Sequence, residues 1–336
     1  MNQEGENAIR FRIGWLFVAS LLALVLLAAP LAAGAQPTGK VYRVGVLWPG
    51  ASPPGPPRME WFRQGLRESG YVEGQNLAIE LRYAKDGAKR LPQLAAELIQ
   101  LNVNVIATFG QAATRAVQQA TTTVPIVTLS DDLLEARLVA SLARPGGNTT
   151  GVTIIAPELS AKRLELLKQI LPKVSRVAAL WDPATGPSQV RAIEAVARSL
   201  AVQLQVLEVR GRADLDSALQ AAKKGRAEAL NVLASPILQS HSKTIIDLAA
   251  KHRLPAMYQW RESVEAGGLI SYGPILREIW QRTALVVGKI LNGAKPADLP
   301  VEQPTKFELI INMKTAQALG LTIPPSVLVR ADQLIE

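Results

Sequence analysis

Apolar and polar positions along the 336-residue chain switch repeatedly between two periods. Mostly apolar runs at 41–48, 103–109, 124–129, 174–181 and 229–234 have the length and composition of buried strands. Weaker or shorter runs at 77–83, 203–209, 255–258, 268–272 and 307–311 bring the expected total to about ten. Between them the apolar residues recur at helical spacing. Leu91, Leu94, Ala95, Leu98 and Ile99 make one stripe, and Leu164, Leu167 and Leu171 make another. Further helices are expected at 58–69, 111–120, 187–201, 215–224, 237–252, 274–291 and 313–319. Stretches such as Val177-Ala178-Ala179-Leu180-Trp181 are apolar without alternation, as expected when helices cover both faces of a parallel sheet. The pattern predicts an α/β chain of doubly wound parallel sheets. Ten strands exceed what one compact open sheet commonly holds, so two lobes are expected. The expected lobes are 36–156 plus 262–295, and 157–261 plus 296–336, joined by a three-segment hinge. No short internal repeat interrupts this order.

The first 35 residues have a different pattern. Arg10 and Arg12 precede an uncharged apolar run over 13–29, then Pro30 and the small residues Ala33-Gly34-Ala35. This is the layout of a secretory signal peptide, with cleavage expected between Ala35 and Gln36. The alternative is a retained anchor, but 17 residues is short for a bilayer span. The two arginines are not adjacent, so a twin-arginine signal is not supported. With no cysteine anywhere, lipid attachment at a cysteine is excluded. The expected location is therefore the periplasm, free of a lipid tether.

Composition narrows the chemistry. Zero cysteines exclude disulfides, thiolate metal sites and cysteine nucleophiles, and two histidines argue against a multi-histidine metal centre. No phosphate-binding loop, dinucleotide fingerprint, nucleophile elbow or zinc-protease motif occurs. His241 and His252 read as solvated helix residues, and Asp131-Asp132 as a strand-end turn or cap. The expectation is a non-enzyme with no catalytic residue, cofactor or metal. The net charge is +9, from 37 basic and 28 acidic side chains. Basic residues such as Lys162, Arg163 and Lys168 are interleaved with Glu165, a pattern of solvated helix faces and not of a nucleic-acid stripe.

Ligands of open α/β sheets bind beyond the carboxyl ends of the strands. Those ends carry much of a small aromatic inventory: Trp48, Trp181, Tyr258, Trp260 and Tyr272. That suits a cleft gripping a small, partly apolar solute. Gly110, Gln111 and Ala112 open a helix whose free N–H groups suit a carboxylate. Asp131 or Asp132 could answer an ammonium, which together would describe a zwitterion. Asp182 and Ser235, at the ends of strands in the second half, complete the candidate site.

Three segments carry a resemblance. They are Leu142-Ala143-Arg144-Pro145-Gly146-Gly147-Asn148 with Thr150-Gly151, Ala266-Gly267-Gly268-Leu269-Ile270-Ser271-Tyr272-Gly273, and the stretch from Lys295 through Gln303-Pro304-Thr305-Lys306-Phe307 to Pro325. From about Tyr42 onward the chain resembles the substrate-binding proteins of ABC transporters, in the branch with the type I periplasmic-binding-protein fold, some of whose members bind tryptophan or phenylalanine. The resemblance implies two lobes closing on a small-molecule solute and a membrane permease as partner, with the protein acting as a monomer. Related sequences often have Asp-Pro after the fourth strand and Asn-Pro after the first strand of the second lobe. Here these are Asp131-Asp132 and Asp182-Pro183, extra negative charge that favours an amine-bearing solute. A periplasmic sensor for a membrane receptor, or an envelope hydrolase, would be the alternatives.

Overall fold

The structure is a computed structural model. It describes residues 40–50, 52–85 and 88–336, so the expected signal segment lies outside the described residues. The body begins at Val41. A first sheet has five parallel strands in the order β2-β1-β3-β4-β5, formed by Leu77–Tyr83, Tyr42–Trp48, Val105–Phe109, Ile126–Ser130 and Thr149–Thr153. Three helices connect them: α1 (Pro56–Glu68), α2 (Leu91–Gln100) and α3 (Gln111–Ala120). A proline opens α1, where the missing N–H costs nothing.

The strand Thr149–Thr153 was not legible beforehand, because three of its five residues are threonine and one is glycine. Gly151 explains why it fits. A Cβ there would fall 1.9 Å from the Thr128 carbonyl oxygen of β4, and its φ of +151° is one that side-chain-bearing residues rarely adopt.

The chain then crosses into a second sheet of seven strands, β12-β11-β10-β9-β8-β6-β7. These are Gln333–Ile335, Phe307–Asn312, Ile270–Pro274, Ala256–Tyr258, Ala229–Val232, Arg176–Trp181 and Gln203–Glu208. Its helices are α4 (Ala156–Ile170), α5 (Ser188–Ser199), α6 (Leu215–Lys224), α7 (Pro236–Ser240), α8 (Ser242–Lys251) and α9 (Arg261–Glu265). The expected single helix over 237–252 is broken at His241. Every pair in this sheet is parallel except β10 with β11.

Sheet membership moves two expected boundaries. Residues 262–274, expected with the first lobe, stay with the second, because β10 is bonded between β9 and β11. Residues 296–302, expected with the second lobe, stay with the first: Glu302 N–H donates to Gly151 and Thr153 N–H to Glu302, both at 2.9 Å. Between these points the helix α10 (Leu276–Leu291) returns to pack on α1. A Cβ on Gly65 of α1 would lie 2.5 Å from the Gln281 carbonyl, so the small residue sets how closely the helices approach. The chain therefore crosses between the sheets three times, at 154–156, 274–276 and 303–306. Helices α11 (Met313–Leu319) and α12 (Pro325–Leu328) finish the second lobe. Among the described residues no helix is long and apolar enough to cross a membrane.

Candidate functional site

The carboxyl ends of β1, β3 and β4 face those of β6, β8 and β9 across a cleft. The first lobe supplies Trp48, Phe109, Gly110, Ser130 and Asp131 from strand ends, Arg58 from the first turn of α1, and Leu276 and Trp280 from α10. The second lobe supplies Ser235, Pro236 and Gln239 around α7, and Gln259 and Trp260 after β9. Together they line a small cavity of about 60 Å³.

Its apolar wall is an aromatic stack. Phe109 and Trp280 lie nearly parallel, 4.2 Å between centroids, and Trp48 packs on them at 5.6 and 5.9 Å. Behind it Phe62 meets both edge-on at 6.4 and 6.5 Å, so the wall is held from the core side.

The cleft is shut. A Cβ on Gly110 would lie 3.1 Å from Pro236 of the opposite lobe. Gln189 Nε2 reaches Asp131 Oδ2 at 3.4 Å across the gap, and Arg191 pairs with Glu135. Gln189 is fully buried and also exchanges two hydrogen bonds with the Ala234 backbone, at 2.8 and 2.9 Å.

The electrostatics centre on Asp131. Burial, reinforced by nearby Asp182, pushes its carboxyl up to about 8. Arg163 of α4 is the counter-charge. Its Nε donates to the Tyr272 carbonyl at 2.7 Å and its Nη1 to Ser160 at 3.3 Å, while Nη2 has no partner. Burial brings this guanidinium down to about 9. Sequence pattern placed Arg163 on a solvated face; it is instead completely buried, bridging α4 to β10 beside the crossings. Asp182 is raised by burial, and Ser235 Oγ donates to it at 2.7 Å. Trp48 Nε1, Ser130 Oγ and Gln259 Oε1 are buried without a hydrogen-bond partner, and all three residues line the cavity.

Four expected site residues come together here: Trp48, Gly110, Asp131 and Ser235. The others are placed elsewhere. Gln111, with its amide donating to the Thr185 carbonyl at 3.1 Å, accepts from Arg115 at the rim. Ala112 packs into the core between α2 and α3. Asp132 accepts from the N–H groups of Leu134 and Glu135 at 2.9 Å, as a turn cap. Trp181 donates to the Gly186 carbonyl at 3.0 Å and packs into the second lobe, and Asp182 caps the turn after β6 through Ala184 N–H at 2.9 Å. Tyr258 is buried on the far side of its sheet end, and Tyr272 stacks on Phe307 at 6.2 Å. Residues with no sequence signal of their own were Arg58, in a Pro-rich entry, and Trp280, one turn into a helix. Phe109 and Ser130 are legible in principle, Phe109 as the last residue of the strand expected at 103–109 and Ser130 as the residue just after the one expected at 124–129.

Two α/β lobes linked by three crossings and shut on a cavity at their strand ends define a solute-binding protein of the type I periplasmic-binding-protein fold. The chain belongs to the ABC transporter substrate binding protein family, whose model matches residues 57–335. A tyrosine-binding protein of Clostridioides difficile is 25% identical over 264 residues, covering 77% of this chain and 75% of that one. An ABC domain from Streptococcus pneumonia, solved in complex with L-Trp, is 26% identical with a TM-score of 0.80, covering 88% of this chain and all (100%) of that one. A conserved domain protein from Vibrio cholerae is 29% identical with a TM-score of 0.81, with coverage of 88% and 100%.

Proposed function

We propose that this chain is the periplasmic, non-enzymatic receptor of an ABC importer. It closes its lobes on an aromatic L-amino acid and presents the closed form to a membrane permease. The observation that carries the reading is the pairing, in one cavity, of the Trp48–Phe109–Trp280 wall with the buried carboxyl of Asp131. The solute's ring lies against the aromatic wall, and its ammonium supplies the positive charge that Asp131 otherwise has only from Arg163. Its carboxylate faces the first turn of α3, which no side chain caps, with Arg58 on the same cavity. The ligands named for the pneumococcal and clostridial relatives belong to the same chemical class. Closure follows from contacts made by both lobes at once, which stabilise the shut arrangement over the open one.

Calorimetric titration tests this. L-tryptophan, L-tyrosine or L-phenylalanine should bind at least tenfold tighter than L-leucine. Tryptamine and indole-3-propionate, each lacking one charge, should bind more weakly than L-tryptophan. Equal binding of the uncharged parent indole would overturn the assignment.

A further inference from the structure

The second lobe holds another cavity, outside the cleft. It has about 470 Å³ and lies where α8 and α11 meet the residues leading into β9 and β10. Ile246, Leu254, Leu269 and Leu319 give it apolar walls. Arg253 and Lys314, both exposed, stand on its rim from opposite elements. Neither forms an ion pair among the described residues, and Arg253 donates at 3.5 Å to the Ala318 carbonyl on the same cavity wall. Asp247, the nearest acid of α8, is already paired with Lys243.

Tyr258 is the second observation. Its side chain is 97% buried (3% exposed) and lines this cavity, yet its hydroxyl makes no hydrogen bond to the protein. The ring is fixed in place, since a Cβ on Gly268 would be 2.7 Å from it. An apolar cavity edged by two cations that form no ion pair, with a tyrosine hydroxyl on its lining that has no protein partner, is complementary to a molecule with an apolar body and an anionic end.

We infer that this cavity is a second ligand site, for a small apolar carboxylate, separate from the solute cleft. Arg253, Lys314 and the Tyr258 hydroxyl meet the carboxylate, and the leucine and isoleucine walls take the hydrocarbon. Tyr258 also borders a small void of about 10 Å³ shared with Gln239 and Gln259, which line the cleft. The two sites therefore lie on opposite sides of one strand end.

Octanoate is the probe, with octanol as the uncharged control, titrated into the protein by calorimetry with and without saturating L-tryptophan. Octanoate should bind with one-to-one stoichiometry whether or not L-tryptophan is present, and at least tenfold tighter than octanol. The surface double variant R253E/K314E should weaken octanoate at least tenfold, and Y258F should weaken it severalfold, while both leave L-tryptophan titrations unchanged. Octanoate binding that is unaffected by R253E/K314E, or that is abolished by L-tryptophan, would overturn the inference. So would the absence of octanoate binding.

Discussion

A carboxyl group removed from water without a full counter-charge keeps its proton, and Asp131 keeps its own up to about pH 8. An ammonium solute must displace that proton to gain an ion pair. Below pH 8 its affinity should therefore rise with pH, by up to about tenfold per unit, because one pKa unit corresponds to about 1.4 kcal/mol. In Asp131→Asn that slope should vanish and amino-acid binding should weaken at least about 30-fold, the scale of removing one partner of a buried charge pair. The same substitution acts oppositely on the empty protein. A carboxyl whose folded pKa is raised favours folding below its unfolded value, and that contribution is lost as pH rises toward 8. Asp131→Asn should thus melt higher than the wild type at pH 8, with the difference closing toward pH 4. Melting curves across pH, together with titrations at pH 6, 7 and 8, check both halves. A wild-type affinity that is flat over this range would contradict the role given to Asp131.

At the scale of elements, the cleft depends on a few close approaches. Gly110 joins β3 to α3 with φ +85° and ψ 158°, a conformation nearly confined to glycine. It also faces Pro236 across the closed cleft. Gly110→Ala should cost about 1–3 kcal/mol of stability from backbone strain alone. It should further weaken solute binding, because the added methyl stands where the lobes meet. Thermal unfolding and titration of the variant read the two effects separately, and an unchanged affinity would place Gly110 outside the closing surface. The elements also show what sequence could and could not reveal. Nearly continuous apolar strands such as β6 announced a covered parallel sheet. The strand ends located Trp48, Gly110, Asp131 and Ser235. β5 stayed hidden because its threonines and glycine carry little apolar signal, and its fit comes from backbone approach to β4. Trp181 and Tyr272 misled for a related reason. Residues at the end of a strand alternate in direction, and a one-residue uncertainty decides between cleft and core. Arg163 sits at helical spacing among surface charges, and only the folded chain shows it buried between α4 and β10.

At the scale of the whole molecule, the chain crosses three times between two sheets, and Gln189, Arg191 and Gly110 each meet the opposite lobe across the cleft. The +9 charge has no part in this cleft, whose charged lining residues are Arg58 and Asp131. A cavity of about 60 Å³ admits a solute only as the lobes part, so the occupied form should be slightly wider than the one described here. The most direct test is a crystal structure of the protein grown with L-tryptophan. The solute should lie between the lobes, its ammonium within hydrogen-bond distance of the Asp131 carboxylate and its indole against Trp48 and Trp280. Tryptophan found elsewhere, or in the cleft with its ammonium turned away from Asp131, would contradict the account.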